Sequence, residues 1–99
     1  MLNIKKEGTA EDLTVVLEGR LDTTTAPQLD EELKASLEKA KNLVFDLKAL
    51  EYVSSAGLRV FLSAQKVMNR QGSMTIKNAN EEIKEIFDVT GFVDILNIE

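Results

Sequence analysis

The chain has 99 residues, 43% of them hydrophobic and 29% charged, enough for one compact domain with no room for a second core. It contains no histidine, cysteine or tryptophan. That excludes imidazole acid–base catalysis, thiolate nucleophiles, disulfides and His/Cys metal sites. Seventeen acidic against twelve basic residues leave a net charge of −5, which argues against nucleic acid or an anionic membrane as the primary partner.

Along the chain, Leu2-Asn3-Ile4-Lys5 reads as a weak edge strand, and Glu7-Gly8-Thr9 as a polar turn. Asp12 to Glu18 alternates partly and is rich in β-branched residues, so a second strand is expected to end at Gly19. The period then changes. Thr25-Ala26-Pro27-Gln28 fits a capping box with proline in the first turn. Leu29, Leu33, Leu37 and Ala40 follow at helical spacing, with acidic residues early and Lys34, Lys39 and Lys41 late, as the helix dipole favours.

Asn42 to Leu47 is a nearly continuous apolar run, suited to a central strand buried on both faces. A loop is expected over Lys48–Val53, then a second helix from Ser55 to about Asn69. Its stripe is Leu58, Phe61, Leu62, Ala64 and Met68, widened by Val60 and Val67 and interrupted by Gln65. Ser73–Lys77 reads as a strand, and Asn78-Ala79-Asn80 offers an N-cap for a third helix with Ile83, Ile86 and Phe87 inward and Gly91 as its stop. Phe92–Ile98 reads as a last strand. The expected fold class is α/β: one domain of order β-β-α-β-α-β-α-β, with a mixed, mostly parallel sheet and about three main helices. Three helices over one sheet cover one face well or both faces thinly. No segment has the apolar length of a signal peptide or a membrane helix, so the sequence predicts a cytoplasmic protein without direct membrane insertion.

One stretch stands apart: Leu50-Glu51-Tyr52-Val53-Ser54-Ser55-Ala56-Gly57-Leu58-Arg59-Val60. Two serines lie where strand and loop hand over to a helix N-terminus, and serine is a favoured N-cap. A phosphoserine there would add roughly −1.5 to −2 charges at pH 7. A nucleophile elbow is excluded, because Val53 takes the place of its first glycine and no histidine completes a triad. A phosphate-binding loop is excluded as well, since no GxxxxGK occurs. Asp22, Asp46 and Glu51 are the nearest carboxylates for a small enzyme, but they show no paired spacing.

Three blocks in order carry a family resemblance over essentially the whole chain: Leu17-Glu18-Gly19-Arg20-Leu21-Asp22 with Thr25-Ala26; Phe45-Asp46-Leu47 through Val53-Ser54-Ser55-Ala56-Gly57-Leu58; and Glu85 to Phe92. With these blocks the chain resembles the STAS domain, in particular the stand-alone anti-sigma factor antagonists of bacteria. The resemblance implies that the serine two residues before the Gly-Leu pair is phosphorylated, which is Ser55 rather than Ser54. The chain departs from the family pattern at Ser54, where many members carry an acidic residue, and at Ala56, where many carry Ser or Thr.

It further implies a partner-switching protein that is a substrate and not an enzyme. Its partners would be an anti-sigma factor serine kinase and a phosphoserine phosphatase, with no cofactor, no metal and no nucleic acid. Asp22 matches a position used at the family's partner interface, and the expected contact patch is Asp22, Thr23, Thr24, Ser54, Ser55, Ala56, Gly57 and Arg59. An alternative keeps the fold and drops the switch. A constitutive STAS-type subunit of a membrane transport (ABC) complex would use Ser54 and Ser55 only to cap the helix.

Overall fold

A computed structural model describes all residues from Met1 to Glu99. The chain forms β1 (Leu2–Gly8), β2 (Asp12–Leu21), α1 (Ala26–Ser36), β3 (Asn42–Val53), α2 (Ser55–Gln71), β4 (Ser73–Lys77) and α3 (Glu81–Val89), then a short 3-10 turn at Phe92–Asp94. The four strands lie in the order β1-β2-β3-β4. β1 pairs antiparallel with β2, while β2–β3 and β3–β4 are parallel, each joined by a helix. The sheet is therefore mixed, as expected.

Leu13, Val15 and Leu17 on β2, Leu43, Phe45 and Leu47 on β3, and Met74 and Ile76 on β4 are all buried, and register neighbours share that face. The residues between them, such as Thr14, Val16, Val44 and Asp46, are only half-buried. The strands thus alternate, and the three helices cover one face of the sheet. β3 is not buried on both faces. Its continuous apolar appearance arises because Val44 lies half-covered on the open side. On the covered side Phe45, Phe61 and Phe87 stack edge to face at 5.0 and 6.1 Å, linking β3, α2 and α3.

Several boundaries differ from the sequence reading. Lys48–Val53 is strand, not loop. The pairing of β2 with β3 slips at Val16/Glu18 and again at Gly19/Arg20, so β3 carries an extra residue at each bulge. Buried Leu47, Leu50 and Val53 then fall three apart instead of two, which hides the strand period. β2 continues through Gly19 to Leu21; Gly19 takes a φ of +101°, and a Cβ there would overlap the Met1 carbonyl, so the glycine passes through the strand instead of ending it.

The capping box does not form. Thr25 precedes α1 without a side-chain cap, and the Gln28 amide instead donates to the Leu2 carbonyl at 3.3 Å. Lys39 and Lys41 lie beyond the end of α1. Asn80 does cap α3, accepting from Ile83 N–H at 2.9 Å, and Gly91 follows that helix in the left-handed region. Gln65, which interrupts the apolar stripe of α2, is buried with its amide donating to Asn69, whereas Val67 is 40% exposed.

The expected last strand is absent. Phe92–Asp94 winds into the 3-10 turn, Ile95 is half exposed, and only Ile98 makes a parallel bridge to Ile76. Of the run's apolar residues only Leu96 is fully buried, so the run has no alternating face to lay on the sheet. No helix is long and apolar enough to cross a membrane.

Candidate functional site

The site forms at the C-terminal ends of β2 and β3. Parallel pairing brings Leu21 opposite Val53, and Ser54 N–H donates to the Leu21 carbonyl at 2.8 Å. That bond holds the β2–α1 turn against the start of α2. Residues about thirty apart in sequence thereby share one surface: Asp22, Thr23 and Thr24 on one side, Ser54, Ser55 and Ala56 on the other. Thr23, Ala56 and Arg59 line a shallow cleft of about 320 Å³ between α1 and α2.

The turn is organised by Asp22. Its carboxylate accepts from Thr24 N–H at 2.9 Å, Thr24 Oγ1–H at 2.7 Å and Thr25 N–H at 3.1 Å. These bonds, led by the Thr24 hydroxyl, hold its pKa below the usual carboxylate value, against a smaller opposing effect of desolvation. Arg20 Nε lies 4.0 Å from the same carboxylate. Beneath the turn, the buried Thr25 hydroxyl donates to the Arg20 carbonyl at 2.8 Å and accepts from Asp22 N–H at 2.8 Å. Thr25 therefore locks the turn instead of capping the helix.

The two serines have separate environments. Ser54 is the N-cap of α2, half-buried, and its Oγ accepts from Gly57 N–H at 3.4 Å. Ser55 is the first helical residue and is exposed, and its hydroxyl makes no hydrogen bond within the chain. Gly57 is buried against the ends of both strands. A Cβ there would sit 2.7 Å from Leu21 Cγ and 2.9 Å from Val53 Cγ2. The absence of that carbon lets the first turn of α2 lie close on the sheet and sets the height of Ser55. Arg59 is exposed and has no carboxylate within ion-pair distance.

Sequence reasoning missed two features. The Arg20 guanidinium stacks over the Tyr52 ring at 4.5 Å from its centroid. Only the β2–β3 register places these residues side by side, and the bulges conceal that register. Thr25 was legible as a helix-start residue, but its lock depends on the path of the turn. The three carboxylates considered for catalysis are dispersed. Asp22 is in the turn, Asp46 is on the open face opposite Val16, where it accepts from Lys48 N–H and the Asn78 amide, and Glu51 lies beside Asn80 and Glu81.

The model of the STAS domain matches residues 3–99. An anti-sigma-B factor antagonist of Bacillus subtilis (strain 168) is 34% identical over 98 residues, covering 98% of this chain and 90% of that protein. The crystal structure of an anti-sigma factor antagonist from Mycobacterium paratuberculosis superposes with a TM-score of 0.90 at 20% identity, over 99% of this chain and 85% of that one. The Bacillus cell fate determinant SpoIIAA in its phosphorylated form superposes with a TM-score of 0.76 at 16% identity, over 98% and 91%. At these identities the two structures speak to the fold.

Proposed function

Given that the chain belongs to the STAS domain family, we propose that it is an anti-sigma factor antagonist that works by partner switching, with Ser55 as the switch. In the unphosphorylated state it binds an anti-sigma factor that is also a serine kinase, through the Asp22–Thr24 turn and the first turn of α2 from Ser54 to Arg59. Binding frees the sigma factor. The kinase transfers the γ-phosphoryl group of ATP to Ser55 Oγ. ADP leaves, and the hydroxyl proton passes to a base on the kinase. A separate phosphatase hydrolyses the ester with water and releases inorganic phosphate. The chain is the substrate in both steps and supplies no catalytic group.

The observation that carries this reading is the exposed Ser55 hydroxyl, without any internal hydrogen bond, on the same surface as the Asp22 turn. A new dianion in a contact patch must be desolvated or repelled on binding. A penalty of about 3 kcal/mol weakens an affinity by roughly two orders of magnitude. The family's antagonist names supply the class of partner. A constitutive transport subunit would need both serines only as caps. Ser54 already fills that position, which leaves Ser55 without a structural task and favours the switch.

Incubation with a co-encoded anti-sigma factor kinase and ATP, followed by site mapping, is the test. Phosphate on Ser55, lost in Ser55→Ala, is the expected outcome. A Ser55→Asp protein that binds the anti-sigma factor as tightly as the wild type refutes the electrostatic basis of the switch.

A further inference from the structure

Arg59 follows Ser55 by one helical turn. Both are exposed residues of α2, and a spacing of four places their Cα atoms about 6 Å apart along the axis and about 40° apart around it. The other charges nearby are already engaged. Arg20 is stacked on Tyr52 and directed at Asp22, the Asp22 carboxylate is filled by the Thr24 and Thr25 donors, and Asp30, across the cleft from Arg59, pairs with Lys34 at 3.8 Å. Arg59 itself enters no ion pair.

We propose that Arg59 is the intramolecular partner of a phosphate carried by Ser55, closing an i,i+4 ion pair over the first turn of α2. The order is the favourable one, with the anion N-terminal to the cation, and a guanidinium can meet two phosphate oxygens at once. Phosphorylation then makes two changes to the contact face. It adds a dianion at Ser55, and it withdraws the Arg59 guanidinium from any partner group that it met before. Arg59 is in this sense a positioning residue for the modified state. The inference rests on the Ser55 reading above and adds to it the group that receives the phosphate.

The test uses the full chain with phosphoserine introduced at position 55 during translation, so that no kinase is needed. The readout is the second ionisation of the phosphate, followed by 31P NMR. An adjacent arginine favours the dianion, so the titration midpoint of the wild-type phosphoprotein is expected to lie about half a pH unit below that of Arg59→Ala. Arg59→Lys should keep part of the difference, and about 1 M salt should reduce it. Arg70→Ala, at the far end of α2, should leave the midpoint where it is. Equal midpoints in the wild type and Arg59→Ala overturn the pair. A normal midpoint difference with no labelling by any co-encoded kinase refutes the switch and leaves the pair standing. Labelling of Ser55 with equal midpoints does the reverse.

Discussion

The Thr25 hydroxyl offers the sharpest test of how the site is held. Thr25→Val keeps the shape of the side chain and replaces one hydroxyl with a methyl group. The hydroxyl joins the Arg20 carbonyl and Asp22 N–H, both at 2.8 Å, at a residue only 7% exposed. The substitution removes both bonds and leaves the Asp22 amide facing a methyl group. An unpaired buried donor costs about 1–3 kcal/mol, and the extra buried methyl returns about 0.8 kcal/mol at most. A net loss of about 1 kcal/mol, and at most about 2 kcal/mol, is expected.

In a urea titration with a slope of about 1 kcal/mol/M, that loss lowers the midpoint by about 1 M with the slope unchanged. Thr25→Ser, which keeps the hydroxyl, should recover most of it. Thr24→Ala is the exposed comparison. It loses only the 2.7 Å bond to Asp22 and should cost under about 1 kcal/mol. If Thr25→Val lies within about 0.5 kcal/mol of the wild type, or Thr24→Ala costs as much as Thr25→Val, the lock is wrongly placed.

Two further outcomes follow from the same region. Gly57→Ala pushes a carbon to within 2.7–2.9 Å of Leu21 and Val53, side chains with no room to retreat. Overpacking of about 1–3 kcal/mol should outweigh the roughly 1 kcal/mol that alanine gains in a helix, so equilibrium unfolding should show a net loss of about 1 kcal/mol, up to about 2 kcal/mol. A more stable Gly57→Ala protein would contradict the close approach of α2 to the sheet. Asp22→Asn tests the depressed carboxyl. Because the folded-state pKa lies below the ordinary 3.8, the group stabilises the fold above that value and ceases to do so as pH falls through the folded value. Urea midpoints measured between about pH 6 and pH 2 should show the wild type ahead of Asp22→Asn at the upper end and the gap closing at the lower end. A gap that stays constant with pH would refute the assignment.

Much of the architecture was readable from local pattern. The helix from Ser55 was legible because its apolar residues keep helical spacing, and α3 because Asn80 and Gly91 bound it with the expected capping chemistry. The errors fell where a local signal had two readings. Thr25-Ala26-Pro27-Gln28 carries the letters of a capping box, but the Thr25 hydroxyl finds stronger partners in Arg20 and Asp22, and Gln28 reaches Leu2. Lys48–Val53 lost its strand period to two bulges, and Phe92–Ile98 has β-rich composition but no alternating face. Each was decided by contacts distant in sequence.

The candidate site divides in the same way. The missing imidazole and thiol chemistry, the α/β order as far as α3, the paired serines at a helix start and the four-residue step from Ser55 to Arg59 were all legible in the residues alone, because composition and helical spacing are local properties. Long-range pairing settled which serine caps the helix and which stands free, and brought the Asp22 turn to the same end of the sheet. It also decided that Arg20 is committed to Tyr52 while Arg59 is not. Those outcomes depend on the parallel register of β2 and β3 and on the two bulges that shift it, and a register is fixed only when the hydrophobic patterns of two strands distant in sequence are matched against each other.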